Sequence, residues 1–140
     1  MDKFNKWLAS GEPYILSIFR IVTGLSFFQF GVAKFFKIPQ VAMFEKLEPF
    51  SLFWNAGVFE FVLGALLILG LFSRVAAFIL CGEMAFAYFI SHAPRGFIPL
   101  LNGGNLAIMY CFPCLYLACA GAGPWSLDAL LWKKGQGASG

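Results

Sequence analysis

The run LFWNAGVFEFVLGALLILGLF, residues 52–72, decides the fold. A membrane-spanning helix needs ~20 apolar residues, with ~17 as the floor. This stretch meets that length while carrying a single charge, Glu60, near its middle. A carboxylate at such depth costs at least ~2.5 kcal/mol on insertion scales, so it needs a partner inside a helix bundle. Three further apolar runs extend roughly from Tyr14 to Phe36, Val75 to Ser91 and Asn105 to Gly121. The first carries Arg20 and the next Glu83. Little more than Ser73 and Arg74 separates the second run from the third, which predicts a tight antiparallel hairpin.

Composition settles the solvent. With 60% hydrophobic residues, 12% charged and a mean hydropathy of +0.78, the chain has too little polar surface for a soluble globule. Its 18 phenylalanines press the same way. The length allows one domain, read as residues 1–134 with a flexible tail at 135–140. The expected fold class is therefore an all-α membrane protein: a four-transmembrane-helix antiparallel bundle with short interfacial helices in the first loop and the C-terminal tail. In that loop, Lys37 to Ser51, the apolar Val41, Met43, Phe44 and Phe50 suggest the first of these. In the tail, Pro124 stops the fourth helix, Ser126 caps a new one and Asp128 suits its first turn.

Four spans place both termini on one side. Lysine and arginine near the helix ends favour that side by one charge, which predicts cytoplasmic termini. The first apolar run lacks a small-residue cleavage site and is expected to stay as a helix.

The buried charges are the candidate site. Arg20 and Glu83 fall at similar depths by helix rise, with Glu60 nearer the midplane. A guanidinium can fork to one carboxylate and reach a second, so Arg20 is expected to pair with Glu83, Glu60 or both. The alternative is an ion-pair clasp that only fixes register. Gly24 and Gly31 lie on Arg20's side of the first helix, as Gly57 and Gly64 do around Glu60, which predicts close helix approach. Lys34 either snorkels outward as an anchor or puts a cation at the mouth of the interior. His92 closes the third helix. A single histidine without companions at ligand spacing excludes a zinc or haem site built from this chain, so no metal is expected, although proton exchange is open to it. Asn102-Gly103-Gly104-Asn105 opens the fourth helix, and either asparagine can cap it or meet a carbonyl ligand.

Cysteine supplies a rival reading. Cys111-Phe112-Pro113-Cys114 has the spacing of thiol oxidoreductases. Its place near the bilayer centre, where a thiolate is poorly solvated, favours simple packing.

The pattern Arg20-x3-Gly24-x2-Phe27-x3-Gly31-x2-Lys34, then Glu60-x3-Gly64, Gly70-Leu71-x2-Arg74, His92, Asn102-Gly103-Gly104 and Gly123-Pro124-x-Ser126-Leu127-Asp128 resembles the DoxX family over nearly the whole chain. The resemblance implies a small bacterial inner-membrane protein of four helices, loosely tied to redox metabolism through a thiosulfate:quinone oxidoreductase subunit. It makes Arg20, Lys34, Glu60, His92 and Asn102 the candidate polar core. Family-like sequences usually place Glu after the Asn-Gly-Gly turn, where this chain has Asn105, which removes one carboxylate from any borrowed mechanism.

Three function classes follow. The favoured one is a redox-associated subunit binding a quinone or comparable amphiphile, with Arg20, Lys34, Asn102 and Asn105 holding it and Glu60, Glu83 and His92 exchanging protons. The others are a small-solute or proton permease and a non-catalytic scaffold for soluble or membrane redox enzymes. Membrane lipids are expected partners, and a homodimer is a reasonable assembly for so thin a bundle. The scattered net charge of +3 gives no nucleic-acid stripe.

Overall fold

The computed structural model describes residues 1–137. Its elements are α1 (Asp2–Phe36), a 3₁₀ turn (Ala42–Phe44), α2 (Leu52–Leu69), α3 (Ser73–Ala87), a π turn (Tyr88–His92) and a second 3₁₀ turn (Ala93–Arg95). There follow α4 (Pro99–Asn102), α5 (Asn105–Ala120) and α6 (Leu127–Gly137). No strand occurs among the described residues. Three helical stretches are long and apolar enough to cross a membrane: Asp2–Phe36, Leu52–Leu69 and Ser73–Arg95. The fourth apolar run forms α5, whose 16 residues rise about 24 Å. That is short of a bilayer's ~30 Å core, because Gly121, at φ 93°, ends the helix ahead of Pro124.

Two further sequence expectations are corrected. The first helix begins at Asp2, not near Tyr14, since Pro13 removes one backbone donor without breaking it. The first-loop interfacial helix reduces to the single turn Ala42–Phe44, with Phe44 turned inward and buried. In the tail, α6 extends from Leu127 through Gly137; residues 138–140 of the expected flexible tail lie outside the described residues.

The helices associate as two pairs. α1 lies along α2 and α3 along α5, while α2 and α3 meet over a much shorter stretch beyond their connecting turn. Apolar side chains line both the contacts and the outside. Phe27, Leu67, Leu80 and Leu117 are fully buried, whereas Phe59, Val62, Phe78 and Met109 are exposed. In a membrane that is the expected division, because lipid tails are as apolar as the core and close packing, not hydrophobicity, holds helices together.

Glycine supplies that packing between α1 and α2. A Cβ at Gly24 would stand 2.8 Å from the Ile68 backbone nitrogen, one at Gly31 2.7 Å from Phe61 Cα, and one at Gly64 2.8 Å from the Phe28 nitrogen. All three would strike backbone, which cannot give way as a side-chain tip does. The expectation of close approach through these residues is met.

Charged side chains then close the helix ends. The last carbonyls of a helix lack internal donors and carry the negative end of its dipole. Arg20, fully buried, donates from Nη1 to the carbonyls of Leu67 at 2.7 Å and Ile68 at 3.2 Å, and from Nη2 to that of Trp125. This corrects the expected pairing of Arg20 with Glu60 or Glu83: the guanidinium finds terminal carbonyls of α2 closer at hand than either carboxylate. Arg74 donates likewise to the carbonyls of Ala118, Cys119 and Ala120 at the end of α5. Asp128 does the reverse, accepting from the backbone N–H of Phe72 at 2.8 Å and of Ser73 at 2.9 Å where α3 begins. Ser126 caps its own helix as expected, its Oγ accepting from the Ala129 N–H at 3.1 Å.

Gly70 sits at the centre of these contacts at φ 69°, its carbonyl accepting from the Asp128 N–H at 2.8 Å. A Cβ there would collide with the Arg20 guanidinium and Ser126.

Overpacking a closed helix contact typically costs about 1–3 kcal/mol. Gly31→Leu is therefore expected to lower the thermal unfolding midpoint in detergent clearly, while Gly82→Ala, at a position with open space around it, leaves it in place. Size-exclusion thermal stability assays read both; equal midpoints for Gly31→Leu and wild type would refute the backbone contact.

Candidate functional site

The short α2–α3 contact leaves a cleft of about 410 Å³ toward the loop end of the molecule. Phe53, Phe59, Ile79, Phe86 and Ile90 give it an apolar wall, and Lys34, Glu60 and Glu83 carry its charge. Each charge arrives from a different helix. Lys34 lies in the last turn of α1, Glu60 midway along α2 and Glu83 in the second half of α3.

Lys34 Nζ donates to Glu60 Oε2 at 2.6 Å, and both residues are only 6% exposed. Lys34 is thus neither a snorkelling anchor nor remote from Glu60. Gly57 allows the approach, for a Cβ there would lie 2.9 Å from Lys34 Cδ. Phe44, from the loop turn, places its ring 5.5 Å from Lys34 Nζ, in the range where a ring face attracts a cation. An ammonium has three donors and no fixed plane. One N–H serves Glu60, and among the described residues the ammonium makes no other hydrogen bond.

Glu83 differs from its neighbours. Both its carboxylate oxygens are buried, and neither has a hydrogen-bond partner among the described residues. Buried polar groups without a partner are few in native proteins, and each calls for a reason. Here the group lines a cavity already holding a buried ion pair.

The other expected site residues lie elsewhere. Arg20 stands roughly 21 Å of helix rise from Lys34 and does not line the cleft. His92 Nδ1 lies 3.1 Å from the Asn102 carbonyl, with its ring stacked on Tyr88. Asn102, 2% exposed, donates to the Gly96 carbonyl at 2.9 Å and accepts from the Gly104 N–H at 2.8 Å. The pair therefore braces the loop that leads into α5. Gly104 occupies the cap position itself, which corrects the expectation of an asparagine cap, and Asn105 is exposed in the first turn. Neither asparagine nor His92 lines the cleft. Cys114 is fully buried in the core, while the sulfur of Cys111 meets that of Cys81, a partner the C-x-x-C spacing does not show. Among the described residues no group of three or more His, Cys, Asp or Glu side chains is placed to hold a metal.

A larger groove, about 990 Å³, opens at the opposite end among Arg74, Ala120–Gly123, Asp128 and Trp132. Its two charged side chains are already spent on helix ends. The sequence missed the pairing of Lys34 with Glu60. The signal was available, since Gly57 stands one turn before Glu60 and makes room for a long side chain from the facing helix.

Fold and cleft together define a helical membrane protein with an ion pair enclosed between its helices. Residues 15–93 match the DoxX family model, and the chain belongs to that family. An uncharacterised protein of Haemophilus influenzae is 46% identical over 130 residues, covering 88% of this chain and 95% of the relative. An uncharacterised membrane protein of Mycobacterium tuberculosis is 32% identical over 141 residues, covering 90% of this chain and 86% of its own length. A second Haemophilus influenzae protein, also uncharacterised, is 30% identical over 131 residues. No solved structure matches.

Removing one partner of a buried ion pair costs about 3–5 kcal/mol, whereas replacing both with apolar groups of similar volume is often neutral. Lys34→Met and Glu60→Leu are each expected to destabilise strongly, and the double variant to recover most of the loss. A double-mutant cycle on unfolding in mild detergent measures the coupling; strictly additive effects would contradict the pair.

Proposed function

We propose that this DoxX-family membrane protein binds a quinone or similar small amphiphile in the α2–α3 cleft, as a redox-associated component of the bacterial inner membrane. The observation that carries the reading is the unpartnered Glu83 carboxyl beside the Lys34–Glu60 pair in a cavity walled by aromatic and aliphatic side chains. Ligand sites have this make-up: mostly apolar walls with a few convergent polar groups, in a volume of ~300–1,000 Å³.

In this reading the ligand's ring lies between Phe53, Phe59 and Phe86. The free N–H groups of Lys34 bond one of its oxygens and draw electron density toward it. Glu83 meets the same oxygen and exchanges a proton with it, while Glu60 holds the ammonium in place. The preference of a helix-terminal cation for anionic or carbonyl oxygen is plain electrostatics, strengthened where water is excluded. Arg20 takes no part. Lys34 is the cation that the fold brings to the cleft. A bundle of four antiparallel spans, with α5 as the short fourth and both termini in the cytoplasm, fits the positions of Arg74, Lys133 and Lys134 on one side.

Purified protein in nanodiscs, exposed to a photoactivatable azidoquinone and mapped by peptide mass spectrometry, tests the proposal. Label is expected on residues 52–60 and 79–91, competed by decylubiquinone. Gly82→Leu, which puts a side chain into the cleft where nothing in the protein obstructs it, should abolish labelling without loss of fold. Glu83→Gln should weaken binding about tenfold, equal to ~1.4 kcal/mol. Labelling that is spread evenly over lipid-facing positions, or unaltered by Gly82→Leu, would overturn it.

A further inference from the structure

Two sulfur atoms from different helices point at one another away from the cleft. Cys81 on α3 and Cys111 on α5 bring their Sγ atoms to 3.6 Å, and Cys111 Sγ also lies 3.5 Å from the Cys81 carbonyl. The other two cysteines behave otherwise: Cys114 is fully buried in the core and Cys119 is exposed. Simple packing asks only that each small side chain fill a gap, and a thiolate forms rarely at this depth, which slows the pair's chemistry without altering its geometry. Here both thiols occupy the same gap, across the longest contact that α3 makes with another helix.

We infer that Cys81 and Cys111 form a reversible dithiol–disulfide pair joining α3 to α5, with a membrane-dissolved quinone as the electron acceptor. A disulfide needs its sulfurs at ~2.05 Å. Closing the remaining gap of roughly 1.5 Å is within the reach of small side-chain rotations at two unbranched residues. The choice of oxidant follows from depth. By helix rise each sulfur lies ~12 Å or more from the Arg74 end of its helix, inside the hydrocarbon, where charged disulfide reagents do not enter. Lipid-soluble quinones do. Neither cysteine is fully enclosed, so both remain within reach from the bilayer.

The reaction balances without any other participant. Two S–H bonds break and one S–S bond forms, and the two electrons and two protons released convert the quinone to its hydroquinone. The inference does not require the quinone to sit in the α2–α3 cleft; any quinone dissolved in the surrounding lipid suffices.

The test counts thiols. The full-length protein in phosphatidylethanolamine–phosphatidylglycerol nanodiscs is reduced, freed of reductant and incubated without oxygen with duroquinone, whose fully substituted ring does not add to thiols. After acid quenching it is denatured and labelled with a polyethylene-glycol maleimide. The reduced chain should take up one label for each of its 4 cysteines. After duroquinone that number should fall by two, with one hydroquinone produced per chain and a Cys81–Cys111 linked peptide in the mass spectrum. Cys81→Ser and Cys111→Ser should each keep every remaining thiol labelled, while Cys114→Ser and Cys119→Ser should still lose two. Full labelling of the quinone-treated wild type, a loss that persists without Cys81 or Cys111, or a linked dimer in place of the internal bridge would overturn the inference. Should a serine variant fail to accumulate, the linked peptide in the wild type decides alone.

Discussion

A helix that ends inside or near hydrocarbon leaves backbone groups that water cannot reach, and the rest of this structure follows from how those groups are satisfied. Arg20 does so for α2, binding the Leu67 and Ile68 carbonyls, and in the same gesture takes the Trp125 carbonyl of the tail. Asp128 returns from that tail to close the start of α3, and Arg74 closes the end of α5. Charges that look like a catalytic cluster in the sequence are therefore divided between two jobs. Those at the terminal end hold helix ends together around Gly70. Those at the loop end face a cavity.

This division explains why the cleft lies where it does. With α1 locked to α2 by glycine contacts and α3 to α5 by a long apolar seam, the two pairs are tied firmly at the Gly70 turn. Away from that turn α2 and α3 have little to hold them together, and the space between them is a cleft lined by the Lys34–Glu60 pair and the Glu83 carboxyl. The ion pair costs desolvation and returns position: it fixes α1 against α2 at a definite register and holds an ammonium beside an unengaged carboxyl. Cys81 and Cys111, on the α3–α5 side, bring two thiols together across the pair that forms the other wall.

Much of this was legible in the residues. Bilayer-length apolar runs gave the long helices, Ser73-Arg74 gave the short turn between α2 and α3, and glycine spacing gave the close face of α1. Glu60 and Glu83 read as buried charges, and Lys34 as either an outward anchor or a cation at the mouth of the interior. What failed was partner choice. Helix rise counted from Tyr14 sets Arg20 level with Glu83, whereas Arg20 sits at the Gly70 end and Glu83 beside Lys34 and Glu60 at the other, because the first helix begins far earlier; rise also says nothing of rotation about the axis, and it overlooks backbone carbonyls as competitors for a guanidinium. Asn102 and His92 were read as site residues for a related reason: polar side chains that brace a loop by bonding its backbone look the same in a sequence as those that meet a ligand.

The sequence by itself determined that this chain is helical and belongs in a membrane, because hydrocarbon admits few residue types and demands backbone bonding within each span. Only the tertiary structure decided which charge meets which, since a buried ion takes the nearest group able to satisfy it, and nearness across helices depends on their mutual rotation. Through that rotation Arg20 became a clasp for helix ends, Lys34 the partner of Glu60, and Cys111 the neighbour of Cys81 in place of Cys114.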